Sequence, residues 1–136
     1  MLNLEVRVRA FMSPKMIVVE GGESIKDAAR KMTEANISSI IVTDSRGRPM
    51  GIVTERDIVQ RVIAADKNPE RRVEEVMSSP LITTDSIATL GEAAQTMVEK
   101  KVKRLLVKEN ENIVGIITQS DLQRGMMQTF SSLLLL

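Results

Sequence analysis

The chain is one unit written twice. Residues 51–59, GIVTERDIV, return at 115–123 as GIITQSDLQ. Aligning Met12-Ser13 with Met77-Ser78 sets an offset of 65 that holds for about thirty positions. Ile17 meets Ile82, Ile25 meets Leu90, Ala28-Ala29 meets Ala93-Ala94 and Met32 meets Met97. Further on, Glu34 meets Glu99, Ile37 meets Val102, and Ile40-Ile41-Val42 meets Leu105-Leu106-Val107. After a one-residue deletion in a loop the offset becomes 64, and Gly51, Thr54 and Asp57 meet Gly115, Thr118 and Asp121. The match runs through apolar and turn positions alike, so chance does not explain it.

Each copy carries the same order of elements. A short apolar strand comes first, over Met16–Val19 and Leu81–Thr84. A helix then starts at Ser24 or Thr89. Its apolar positions are Ile25, Ala28, Ala29 and Met32 in one copy, and Leu90, Ala93, Ala94 and Met97 in the other, at i, i+3, i+4 and i+7. Two strands joined by a tight polar turn follow: Ser39–Thr43 with Met50–Val53, and Arg104–Lys108 with Ile113–Ile117. A second helix begins after each Thr-x-x-Asp. The fold class is therefore α+β, with β-α-β-β-α twice. The repeats span 8–65 and 73–127, the polar Pro-containing run 66–72 links them, and 128–136 is a tail. Leu2, Leu4, Val6 and Val8 alternate with polar residues, which predicts an extra strand over the 1–7 extension. A lone ~65-residue copy hardly buries both of its apolar faces. The expectation is two repeats packed around a pseudo-two-fold axis.

Composition removes whole classes of function. There is no histidine and no cysteine, so no Ser-His-Asp or Cys-His arrangement and no histidine or thiolate metal site can be built. Phe11 and Phe130 are the only aromatics, too few for a base-stacking platform. Nineteen basic and eighteen acidic residues leave a net charge of +1, which argues against nucleic-acid and membrane-surface binding. No apolar run approaches the ~20 residues that cross a bilayer. These features fit a cytoplasmic protein that binds rather than catalyses, with no required cofactor.

Thr54-Glu55-Arg56-Asp57 has the form of a capping box, in which the threonine hydroxyl accepts from the N3 amide and the N3 carboxylate reaches back. The signature occurs four times, also at Ser24–Asp27, Thr89–Glu92 and Thr118–Asp121, and repetition alone shows no ligand. The copies at 54 and 118 differ in following an apolar strand directly. There the helix start opens at a strand's carboxyl end, where amides and dipole favour an anion. Lys103-Arg104 has two readings as well: a solvated basic edge, or cations at the start of an apolar strand that reach a ligand.

With these motifs in hand, the chain resembles a tandem pair of cystathionine-β-synthase (CBS) domains, a Bateman module. The resemblance covers roughly residues 8–127 and rests on the doubled element order, the VMSSPLITT stretch, the RGRPMG turn and the two G-[IV]-[IV]-T-x-x-D-[IL] endings. No catalytic, channel or transporter domain accompanies the pair, so a free-standing module is expected. The resemblance implies an adenosine nucleotide (AMP, ADP or ATP) as ligand, with the aspartate on the ribose hydroxyls and the threonine near ribose or phosphate. It groups Thr54, Arg56 and Asp57 with Lys103 and Arg104 in one site, and Thr118 and Asp121 with Ser38 and Ser39 in the other. Three cations in the first site and none in the second make the two unequal.

The expected function is a regulatory module whose occupancy shifts a conformational equilibrium read by a regulated partner protein. It is also expected to be a homodimer, since Ile58, Val59, Val62, Ile63, Leu122, Met126 and Met127 exceed what one internal core needs. The alternative is a structural interaction module whose clefts are empty or take S-adenosylmethionine or nucleic acid. An enzyme ranks behind both, for want of histidine, cysteine and a converging acid-base group.

Overall fold

The computed structural model describes residues 6–79 and 81–135. These divide into two compact units, the Met16–Leu81 stretch in one, and 6–15 with 82–135 in the other.

In the Met16–Leu81 unit the order is β1 (Val18–Glu20), α1 (Ile25–Ala35), β2 (Ser39–Thr43), β3 (Pro49–Thr54) and α2 (Glu55–Asp57), which runs on as a π-helical stretch over Ile58–Ile63. β1 runs parallel to β2 and β2 antiparallel to β3, with Val18 beside Ile41 and Ile41 beside Ile52. Helix α1 starts where the Ser24 hydroxyl accepts the Asp27 amide at 3.0 Å. It stops at Asn36, which takes the left-handed conformation (φ 53°) that asparagine tolerates. Ile25, Ala28 and Met32 are buried against Val19, Ile40, Val42 and Val53 of the sheet. The β2–β3 turn is held by Asp44, whose carboxylate accepts the amides of Arg46 and Arg48, each at 2.9 Å. The Arg48 amide above all holds its pKa below the ordinary 3.8.

The other unit repeats this plan with β4 (Thr83–Asp85), α3 (Leu90–Lys100), β5 (Arg104–Glu109), β6 (Asn112–Thr118) and α4 (Gln119–Leu134). Its strand order and pairings are those of the first sheet. Asn110 and Glu111, both at positive φ (50° and 71°), make the tight β5–β6 turn.

The leading segments are exchanged. Val73–Glu75, at the head of the second repeat's sequence, forms a 3₁₀ turn in the first unit, where Val73 and Val76 are buried in the core. Val8–Ala10 forms the matching turn in the second unit, where Val8 is buried with Leu90, Ala93 and Leu105. The bonds match as well. The Val73 amide donates to the Glu23 carbonyl and the Val8 amide to the Ala88 carbonyl, each at 2.8 Å. Ser78 bridges Ile52 of β3, and Ser13 bridges Ile116 of β6. Each repeat's hydrophobic face is thus closed by the segment that precedes the other repeat in sequence.

Two expectations need correction, and a third falls largely outside the described residues. β1 and β4 begin two residues later than the apolar runs suggest, because parallel pairing starts at Val18 and Thr83 while Ile17 and Ile82 contribute only carbonyls to β2 and β5. The extra N-terminal strand falls partly on residues 1–5, outside those described. Beyond them Arg7 makes a single bridge to Thr89, and Val8 turns into the 3₁₀ segment. Finally, α4 continues to Leu134, through most of the stretch read as a tail.

Candidate functional site

The two Thr-x-x-Asp turns sit at the carboxyl ends of β3 and β6, and both are complete reciprocal caps. The Asp57 amide donates to Thr54 Oγ1 at 3.1 Å, and Asp57 Oδ2 accepts the Thr54 amide at 2.9 Å. In the second unit the Asp121 amide donates to Thr118 Oγ1 at 3.2 Å, and Asp121 Oδ2 accepts the Thr118 amide at 2.9 Å. The Thr118 hydroxyl also donates to Oδ2 at 3.0 Å. The other two copies of the signature show the forward bond, to Ser24 and to Thr89.

The preceding strand adds to the same helix start. The Ser38 carbonyl accepts the Glu55 amide at 3.0 Å, and the Lys103 carbonyl accepts the Gln119 amide at 2.8 Å. The amides of Arg56 and Ser120 are the first-turn donors that these bonds leave over. On the carboxylates, Oδ2 is committed to the cap in both units and Oδ1 is not. Among the described residues Oδ1 meets an arginine alone: Arg61 Nε at 3.6 Å from Asp57, and Arg124 Nη2 at 3.1 Å from Asp121. Both aspartates are mostly buried while both arginines are half exposed. A mostly buried carboxylate with one oxygen facing a half-exposed cation can accept a further donor, such as a pair of adjacent hydroxyls.

Within each sheet, register brings the remaining sequence-derived residues to these turns. Ser39 pairs with Thr54, and Arg104 pairs with Thr118. Ser38 and Lys103, one residue earlier, are exposed, and so is Arg56. Thr54, Arg56 and Asp57 thus share a unit with Ser38 and Ser39, and Thr118 and Asp121 share one with Lys103 and Arg104, whereas the grouping implied by the resemblance joins residues of different units. Arg61 and Arg124 were not expected. A basic residue one turn after each aspartate was visible in the sequence, but the two do not align at the offset of 64 that aligns the aspartates.

Among the described residues there is no group of three or more acidic side chains placed to hold a metal ion, and no helix is long and apolar enough to cross a membrane. Of the apolar residues expected on the outer faces of the second helices, Val62 and Leu122 are buried within their own units. Val59, Ile63, Met126 and Met127 are exposed, and Phe130 and Leu134 join them.

Comparison with known proteins agrees with this architecture. The family model described as "CBS domain" matches residues 8–64 and again 73–128. The CBS domain-containing protein YhcV of Bacillus subtilis is 30% identical over 125 residues, covering 92% of this chain and 89% of that protein. Uncharacterized protein MK0525 of Methanopyrus kandleri is 36% identical over 102 residues, 74% of this chain, and the match spans 52% of that longer protein. A crystal structure of an uncharacterized conserved protein from Pyrococcus horikoshii superposes with a TM-score of 0.85 at 32% identity, covering 92% of this chain and 95% of that one. With two matches that fill most of its length, the chain belongs to the CBS-domain family and carries a tandem pair of CBS domains.

Proposed function

We propose that this CBS pair is a regulatory module that binds an adenosine nucleotide (AMP, ADP or ATP) at its Thr-x-x-Asp turns and signals occupancy by a change in conformation. The observation that carries the reading is the divided carboxylate. In both units one oxygen closes the cap and the other stays at the rim of a helix start, suited to the ribose hydroxyls. The helix start favours the negative phosphate beside it. CBS pairs generally regulate rather than catalyse.

The test uses the chain's own optical silence. Without Trp, Tyr or Cys it hardly absorbs at 280 nm. Nucleotide retained through purification dominates the spectrum near 260 nm, and chromatography of the denatured protein identifies it. Titration calorimetry with AMP, ATP and adenosine supplies the affinities. A protein that binds none of the three ends the proposal.

Arg104 tests the phosphate half. Arg104→Ser, which copies Ser39 of the other repeat, is expected to weaken AMP and ATP binding about tenfold, the scale of one charge-assisted contact, and to leave adenosine almost unchanged. The family resemblance assigns Arg104 to the Thr54 turn, whereas its own sheet register sets it opposite Thr118. Combining the variant with Asp57→Asn and then with Asp121→Asn shows which turn it serves, because only the shared site gives a non-additive pair.

The exposed run Met126, Met127, Phe130 and Leu134 on α4 supports self-association through that helix. We expect a homodimer of about twice the 15.1 kDa chain in light scattering at micromolar concentration. Met126→Lys together with Phe130→Lys should return it to a monomer.

A further inference from the structure

Each unit contains one contact that its capping box does not require. In the first, Arg61 lies between the site carboxylate and the leading segment. Its Nε faces Asp57 Oδ1 at 3.6 Å, and its Nη1 donates to the carbonyls of Val76 and Met77 at 3.1 and 3.3 Å. In the second, Arg124 Nη2 reaches Asp121 Oδ1 at 3.1 Å and the Phe11 carbonyl at 3.2 Å, with the guanidinium 5.7 Å from the centre of the Phe11 ring. Val76 and Phe11 are equivalent at the offset of 65, so both arginines grip the same point of the exchanged segment.

The helix geometry makes this correspondence informative. Asp57 and Asp121 are 64 residues apart, but Arg61 and Arg124 are 63 apart, as are the buried Val62 and Gly125. The first repeat therefore has one extra residue between aspartate and arginine. It is absorbed as a π-helical stretch over Ile58–Ile63, closed by the Ala64 amide on the Val59 carbonyl at 2.9 Å. In the second repeat the same span is regular α-helix. Without the wider turn, Arg61 would be rotated by about 100° away from the segment. The same three-way contact is thus made by two differently wound helices.

We propose that Arg61 and Arg124 are positioning residues that link the site carboxylates to the leading segments at 76–78 and 11–13. A ligand whose hydroxyls donate to Oδ1 competes with the guanidinium for that oxygen, and the arginine's hold on the segment changes with it. This last step rests on the nucleotide reading; the link itself does not.

Hydrogen exchange on the ligand-free protein tests the link, with Asp121→Asn, Arg124→Gln and the double variant compared. Each single change is expected to raise exchange of the Met12 and Ser13 amides about fivefold, and the pair together no further. Independent structural roles would multiply to about twenty-five-fold, and that outcome overturns the proposal. So does an unchanged rate in either single variant. Amides of residues 119–123 report any weakening of the helix cap separately, so a loosened α4 is not mistaken for a loosened segment. Arg124→Lys, whose ammonium can replace the single nitrogen that makes both contacts, should restore most of the protection; equal rates in the Lys and Gln variants count against the link. AMP is then added to the wild type. Binding that leaves Met12 and Ser13 unchanged refutes the competition step. Absence of binding refutes the nucleotide reading, and the ligand-free cycle still decides the link.

Discussion

Gly115→Ala is expected to destabilise the protein by about 2–3 kcal/mol, and Gly51→Ala by about 1 kcal/mol. The two glycines are equivalent by repeat, and both lie where a leading segment crosses a strand. A Cβ on Gly115 would stand 2.6 Å from the Ser13 carbonyl oxygen. That carbonyl cannot retreat, because it accepts the Ile116 amide at 2.9 Å while the Ser13 amide donates back to Ile116 at 2.8 Å. On Gly51 the Cβ would first meet the Met77 side chain, its sulfur and its Cγ (2.8 Å), which an unbranched chain can turn aside, with the Ser78 carbonyl at 3.0 Å behind it. The same substitution therefore displaces a side chain in one unit and breaks a backbone bridge in the other. Urea unfolding followed by far-ultraviolet dichroism gives both values. Equal costs would show that the leading segments yield as easily as a methionine does.

This exchange of segments is the part of the fold that the sequence kept hidden. The offset of 65 showed that residues 8–13 and 73–78 are equivalent, but equivalence does not say which repeat each one closes. Both choices bury the same valines, and only the chain path separates them. The helices were legible because their starts are written locally, in Ser24, Thr89 and the acidic residue three positions on. The strand hairpins were legible from alternation and from turn residues, although pairing extended them to Pro49–Thr54 and Asn112–Thr118. Val8, the last of the alternating positions, was not legible, because an alternating run can equally end in a 3₁₀ turn with one buried valine. At the site, threonine and aspartate stood out through repetition. Arg61 and Arg124 did not, since the extra residue that shifts them could have lain anywhere between Asp57 and the linker.

Asp57→Asn separates the two roles that the Thr-x-x-Asp turn can play. The substitution keeps the shape and leaves an amide oxygen able to accept the Thr54 amide, so the cap is weakened rather than removed. The stability cost should be about 0.5–2 kcal/mol, the range for an impaired helix cap. Ligand binding is more demanding. A carboxylate oxygen accepts from two ribose hydroxyls as a charged partner, and an amide presents only one acceptor and the wrong group beside it. Bonds to a charged acceptor are worth roughly 1.5–3 kcal/mol, so affinity at that turn should fall by about ten- to a hundredfold for AMP and for adenosine alike, since both carry the ribose. A response shared by adenosine distinguishes this variant from Arg104→Ser, which should act only on the phosphorylated ligands. If Asp57 is a cap and nothing more, the melting temperature drops and the affinities stay where they were. Asp121→Asn repeats the experiment in the other unit, where the Thr118 hydroxyl also donates to the carboxylate and Arg124 stands 0.5 Å closer to its aspartate (3.6 against 3.1 Å) than Arg61 does. That aspartate is the more heavily engaged of the two before any ligand arrives. Nucleotide binding at its turn should accordingly be the weaker, and its loss on substitution the smaller.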